Sequence, residues 1–259
     1  MRTLAVDGAE LAYELEGQGD EVVAFVHGWC SKLQHWDAQA QHLRRGQRVL
    51  RWDRRGMGRS RADLPADAPA RHAQDLAAIL GAEGIDRATV VGHAGGGPTA
   101  LAFAAEYADR TDGLVLVDTR LHAAPAPGAA DRFAEGVARS CEQLLGPDGD
   151  AFFGKLYRSF FGPRAPEDVV ADAVENALAT PRAIAVAEMG HMLGDTMAVA
   201  RRARCPVLWV SAQPDDSAIV RQAFTDVMIG HVVGSGHFVQ LEVPEQLNAM
   251  IGVFLAARA

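Results

Sequence analysis

The stretch VVGHAGGGPTALAFAAEYA, residues 90–108, runs from a β-branched strand end through a cluster of glycines into an alanine-rich helix. Gly92 and Gly96 stand two positions either side of Ala94. Where a strand must reverse sharply into a helix, glycines at those positions give the backbone room to bend, and the central side chain stands exposed at the carboxyl end of the sheet. Pro98 is tolerated because the first turn of a helix has amides with no intrahelical partner. The run lacks the Gly-x-Gly-x-x-Gly spacing of a dinucleotide site and carries no P-loop lysine, which leaves phosphate binding with little support. A turn of this kind displays one residue, and here that residue is an alanine.

The segments around it repeat the strand-helix alternation. Leu4–Val6 and Leu11–Leu15 flank Asp7-Gly8, a hairpin signal. Short apolar runs follow at 22–26, 48–52, 89–91, 114–117 and 207–210, with helical periodicity between most of them, as over 70–80. Nearly all-apolar strands separated by helices imply a parallel sheet covered on both faces. The interval 119–205 is too long for a structureless connection, so it should hold structure of its own. Pro125, Pro127 and Gly128 open it, an aromatic helical stretch, DAFFGKLYRSFFG, occupies 150–162, and helix starts stand at Pro166-Glu167-Asp168 and Thr180-Pro181. It reads as a helical cap (119–205) inserted into a core made of 1–118 and 206–259.

Composition narrows the classes. Among 259 residues, 25 Lys and Arg face 33 Asp and Glu, a formal charge of −8 that repels nucleic acid and anionic membranes. No apolar run reaches the roughly 20 residues that span a bilayer, and the first residues alternate instead of forming a signal-peptide block, so a cytoplasmic location is expected. Cys30, Cys141 and Cys205 are odd in number and widely spaced, suggesting neither disulfides nor a zinc site.

The spacing of Gly92, Ala94 and Gly96 is that of the nucleophile elbow, Gly-x-Ser-x-Gly, with alanine in the serine position. FVHGWC at 25–30 is suited to turning the Trp29 amide toward the elbow, where with the Gly95 amide it makes an oxyanion hole, while His27 bonds its own loop. His237, in GSGHFVQLEVPEQL, follows a strand around 229–233 and a Gly-Ser-Gly turn at the correct end of the sheet, and reads as the general base. His93 packs beneath the turn, and the remaining histidines show no ligand spacing. Three carboxylates compete to orient His237: Asp215, at the usual distance from the strand at 207–210; Asp118, directly after the strand at 114–117; and Asp216, which reads better as a helix N-terminal residue. Phe153, Tyr157 and Phe160 lie on one side of the aromatic helix and suggest either an apolar substrate face or packing of the cap on itself. Trp36, with Trp29 and Cys30, is a candidate for the pocket floor.

With these motifs in this order, the whole chain resembles the α/β-hydrolase superfamily, in particular its small bacterial esterase, enol-lactonase and C–C-bond hydrolase branch. The Asp53–Ser60 run, D-x-R-G-x-G-x-S, is another feature of that resemblance and reads as turn structure. The resemblance implies an eight-stranded, mostly parallel sheet flanked by helices, with the cap between its sixth and seventh strands. It maps the catalytic serine onto Ala94, the histidine onto His237 and the acid onto Asp215. It also implies acyl transfer on a small-molecule ester or lactone with no cofactor or metal; the aromatic pattern, read apart from it, offers Trp36, Phe153 and Tyr157 as the substrate-binding candidates. Ala94 is the departure. A natural protein that has abandoned covalent catalysis and a replacement of a parental serine both account for it. The second is favoured, because a chain with nothing to display could relax a strained turn. Two other functions stay open. Trp29-Cys30, the SAQP stretch at 211–214 and an Asp118 acid resemble those of cofactor-free dioxygenases that cleave N-heteroaromatic rings, and a noncatalytic ligand-binding protein could use the same scaffold.

Overall fold

A computed structural model describes residues 1–62, 69–124, 132–191, 193–212 and 217–258. The strands are β1 (Arg2–Val6), β2 (Ala9–Gly17), β3 (Val22–Val26), β4 (Arg48–Trp52), β5 (Arg61–Ala62), β6 (Ala88–His93), β7 (Thr111–Val117), β8 (Val207–Ser211) and β9 (Val227–His231). The helices are α1 (Asp37–Leu43), α2 (Pro69–Ala82), α3 (Gly97–Glu106), α4 (Arg132–Leu145), α5 (Gly149–Arg158), α6 (Glu167–Ala179), α7 (Arg182–His191), α8 (Thr196–Ala200), α9 (Ser217–Ala223), α10 (Val239–Glu242) and α11 (Pro244–Ala256).

Eight strands form one continuous path in the order β1-β2-β4-β3-β6-β7-β8-β9, with the two-residue β5 attached to β2. β1 and β2 make the hairpin that Asp7-Gly8 announces: Val6 pairs with Ala9, and both turn residues take positive φ, 38° and 76°. From β4 to β9 every neighbouring pair is parallel. The mostly parallel sheet expected from the apolar runs is therefore present. β9 lies two residues earlier than the sequence suggests, because the chain turns out of the sheet at Gly234, whose φ is 79°.

The continuous apolar strands divide their side chains between two cores. Ala24, Val26, Val90, Leu114 and Leu116 pack under α2 and α3 with Leu76, Ile79, Leu101 and Phe103. Val23, Phe25, Val91, Val115 and Val117 pack on the opposite face against Trp36, Leu43, Leu247, Ile251 and Phe254 of the α1 and α11 side. Alternation along a strand with both faces covered makes every position apolar. Each such fully buried side chain contributes about 1.5–3 kcal/mol. Trp36 is fully buried in the second core, its ring 4.8 Å from that of Phe25. It is core packing and not the pocket floor; a tryptophan after an oxyanion-type loop serves either role, and only its direction decides.

Helices α4–α8 fall between β7 and β8, the sixth and seventh strands of the path. The helix starts at 166–168 and 180–181 are present as α6 and α7, while Pro125, Pro127 and Gly128 lie outside the described residues. A third core joins these helices to the loop after β3. Phe153, Tyr157, Leu144 and Ala177 surround Trp29 and Cys30. Chain connections run outward in both directions from β3 and β6, so the loops that follow these two strands face a common crevice at their carboxyl ends, where α/β sheets place ligands.

Candidate active site

β6 ends at His93 and α3 begins at Gly97, leaving one short turn, Ala94–Gly96, to reverse the chain. Ala94 takes φ 48°, a left-handed conformation that disfavours any side chain with a Cβ. The turn closes tightly: a Cβ on Gly92 would lie 2.7 Å from the Gly96 carbonyl oxygen, and one on Gly96 would lie 2.6 Å from that of Val26. Glycine is required at both places by contact. The position a Cβ would take on Gly95 is 3.1 Å from the Trp29 amide nitrogen, so the Trp29 backbone packs directly against Gly95.

His27 behaves as its sequence context implies. Its Nδ1 lies 2.9 Å from the Gly28 carbonyl and its Nε2 accepts the Arg54 amide at 2.9 Å, which assigns the proton to Nδ1. Burial and the Arg54 charge hold its pKa well below the ordinary value, so the ring is neutral. Asp53 likewise organises turns: its two oxygens accept the amides of Leu33 and Arg59 at 2.6 and 2.8 Å.

His237 sits after β9, and its Nδ1 is 2.6 Å from Oδ2 of Asp118. Asp118 follows β7 at φ 44°, and its other oxygen accepts the Ser211 hydroxyl and the Ala212 amide, each at 3.0 Å. Burial raises the Asp118 carboxyl, but the hydrogen bond and charge of His237 and the Ala212 amide outweigh it, so it lies below the usual aspartate range. The histidine that the motif GSGH marks thus has Asp118 as its partner. Asp215 and Asp216 lie outside the described residues. Chain spacing favours Asp215 over Asp118 for this contact, yet a carboxylate at the end of either neighbouring parallel strand can reach the histidine, and spacing by itself does not decide between them.

Two contacts hold His237 from behind. His93 Nε2 lies 2.9 Å from its carbonyl oxygen, and its own amide donates to Phe160 O at 2.8 Å. Burial depresses the His93 pKa to about 3, so it acts as a neutral donor. Sequence context implies only packing beneath the turn for His93; its hydrogen bond to the His237 carbonyl is an addition that the fold reveals.

Ala94, Gly95, Asp118 and His237 line one cavity of about 130 Å³, together with Pro98, Arg120, His122, Phe133 and Thr196. Phe153 and Tyr157 are not among these lining residues. Both are buried, and the Tyr157 hydroxyl is bonded to the main chain of residues 29 and 30. Their aromatic stripe is the packing surface of α5, which corrects the reading that placed them against substrate. Phe133 of α4, 41% exposed, is the phenylalanine among the described residues that lines this cavity. Arg120, two residues beyond Asp118, is exposed and has no ion-pair partner among the described residues. No group of three or more histidine, cysteine, aspartate or glutamate side chains suited to a metal occurs among the described residues. Nor is any of their helices long and apolar enough to cross a membrane.

Known proteins with similar sequence or structure bear on the same arrangement. The chain is 38% identical over 135 residues to a protein of Caulobacter vibrioides named as a putative carbamate hydrolase, RutD; the match covers 45% of this chain and spans about half (49%) of that relative. A thermophilic esterase from Thermogutta terrifontis, solved with malate bound, superposes with TM-score 0.86 at 26% identity, covering 99% of this chain and 97% of that one. The enol-lactonase from Burkholderia xenovorans has the same fold, with TM-score 0.87, 21% identity and coverage of 98% and 100%. The family model for the alpha/beta hydrolase fold matches residues 21–244, and with the sheet order, elbow and histidine-aspartate pair in place, this chain belongs to the α/β-hydrolase family.

Proposed function

We propose that the site carries out acyl chemistry on a small carboxylic ester or lactone, with His237 as general base, Asp118 as the acid that orients it, and the Trp29 and Gly95 amides as oxyanion donors. The observation that carries the reading is the 2.6 Å contact between His237 Nδ1 and Asp118, which leaves Nε2 for a substrate in the cavity that Ala94 and Gly95 also line. Esterase and enol-lactonase neighbours support the same class of substrate. Pro98 and Phe133 offer an apolar or aromatic wall, and Arg120 a cation at its edge. Residues 119–205 are the cap in this reading, over a core of 1–118 and 206–259.

With a methyl group at 94, no oxygen is available to form an acyl-enzyme. The left-handed backbone at 94 is retained all the same, which supports the account in which alanine replaces a parental serine and the chain holds substrate uncleaved. Restoring serine by Ala94→Ser completes the cycle: His237 takes the hydroxyl proton as the oxygen attacks the carbonyl carbon, and the two amides hold the oxyanion. The ester C–O bond then breaks as His237 returns that proton to the leaving alcohol oxygen, and a water deprotonated by His237 attacks the acyl group, releases the acid and restores the serine hydroxyl. The expected gain in kcat is about 10⁶-fold. Labelling with a fluorophosphonate, followed by a screen of esters and lactones, tests it. Labelling of the restored serine in Ala94→Ser, abolished by His237→Ala, is the expected result. A folded Ala94→Ser variant that takes up no label at that position contradicts the reading.

A second reading has one specific observation in its favour. An acid at the end of β7 paired with the histidine, beside a position without a nucleophile, suits an enzyme whose histidine deprotonates an N-heteroaromatic substrate that then reacts directly with oxygen. Oxygen consumption by the unaltered chain in the presence of a hydroxyquinolone would favour that reading over hydrolysis.

A further inference from the structure

The loop that carries the Trp29 amide is not held by the strand it follows. Its four consecutive carbonyls, from residue 27 to residue 30, each accept a hydrogen bond from a side chain elsewhere. Arg54 donates from Nε to His27 O at 3.1 Å and from Nη2 to Gly28 O at 3.0 Å. The Tyr157 hydroxyl of α5 lies 3.0 Å from Trp29 O and 3.2 Å from Cys30 O, and Asn176 Nδ2 of α6 donates to Cys30 O at 2.9 Å. The Trp29 indole in turn donates to Ala185 O of α7 at 2.8 Å. Arg54 is itself paired with Glu188 of α7, whose second oxygen is 2.6 Å from His72 Nε2. Arg54, Tyr157 and Glu188 are each at most 4% exposed. Three helices of the segment between β7 and β8 therefore converge on one loop, in which Cys30 is kept at φ 49°.

A left-handed non-glycine residue persists only where its surroundings over-determine it. An oxyanion donor is effective only when its direction is fixed before charge develops. We propose that the helical segment is a working part of the oxyanion site: Tyr157 and the Arg54–Glu188 pair are positioning residues that aim the Trp29 amide by holding the carbonyls of its own loop. This rests on the reading of Trp29 and Gly95 as oxyanion donors. It differs from a role as anchors of the cap alone, in which the same contacts would add stability and leave the amide's direction unchanged.

The unaltered chain can test it without turnover. The probe is the monoanion of methyl phenylphosphonate, whose tetrahedral oxygens stand in for those of a tetrahedral acyl intermediate. Titration followed by amide NMR should move the Trp29 and Gly95 resonances together. In Tyr157→Phe, the Trp29 response should fall while that of Gly95 persists, with affinity reduced about tenfold. In the Ala94→Ser background, the same substitution should lower kcat ten- to a hundredfold with KM within twofold. If Tyr157→Phe does not fold, Glu188→Gln replaces it, with the same expected results. Equal Trp29 responses and equal kcat in a folded variant and its parent would overturn the proposal, whatever the loss in thermal midpoint. Failure of the probe to shift either amide in the unaltered chain would instead overturn the oxyanion reading on which it rests.

Discussion

Asp118 does three things at once: it ends β7 in a left-handed turn, accepts two donors from the end of β8, and bonds Nδ1 of His237. An aspartate in that position holds the imidazole in the tautomer that leaves Nε2 free as a base. In the Ala94→Ser background, Asp118→Asn should lower kcat about 10⁴-fold, the scale seen when such a residue stops fixing the tautomer. Asp215→Asn should change it by no more than a few fold, and steady-state kinetics on both variants decides between the two carboxylates. Arg120 sets a separate expectation. Its guanidinium lines the cavity without an ionic partner among the described residues, and hydrogen bonds to charged groups contribute about 1.5–3 kcal/mol. Arg120→Gln should raise KM at least tenfold for an ester whose acyl chain ends in a carboxylate, and leave KM unchanged for the neutral ester of the same length.

Where strand meets helix, the turn between β6 and α3 depends on contact as much as on conformation. Gly96 has an ordinary φ near −81°, yet a Cβ there would press on the Val26 carbonyl at the end of β3. Its requirement for glycine comes from the neighbouring strand. Gly96→Ala should destabilise the fold by about 1–3 kcal/mol, the usual range for overpacking, measured as a lower urea midpoint with unchanged slope. The pattern of Gly92, Ala94 and Gly96 was readable because strand, turn and helix are contiguous in the chain. α5 was equally readable as a helix, but its aromatic stripe fitted both a substrate wall and a packing face. Phe153 and Tyr157 proved to be packing because Trp29 and Cys30 lie against them, and those residues are more than 120 positions away.

Over the full span of the fold, buried charge ties α7 to the core. Burial raises the Glu188 carboxyl, but the positive charge of Arg54 and the close contact with His72 outweigh it and hold it well below the ordinary 4.5. A carboxyl depressed in the folded state stabilises the protein fully above its unfolded pKa and loses that contribution as pH falls through the folded value. Removing the charge from a buried pair while its partner remains is destabilising by about 3–5 kcal/mol. Glu188→Gln should therefore lower the denaturation midpoint most at pH 7, and the difference from the parent should shrink below pH 4.5. Urea titrations at pH 7, 5 and 3 measure it, and a difference that grows toward acid would contradict the pairing.

Short stretches of sequence were enough to specify the local parts of this protein: the Asp7-Gly8 hairpin, the apolar parallel strands, the elbow at residue 94 and the loop that presents Trp29. Each depends on backbone geometry and periodicity within a dozen residues. The assembled fold was needed to show that Asp118 meets His237, which aromatics line the cavity, and that the loop carrying Trp29 is braced by helices from α5 to α7. Those relations join side chains from separate strands and helices, 119 residues apart for Asp118 and His237. They follow from which way each chain end turns at the edge of the sheet, a direction set by packing that no short stretch encodes.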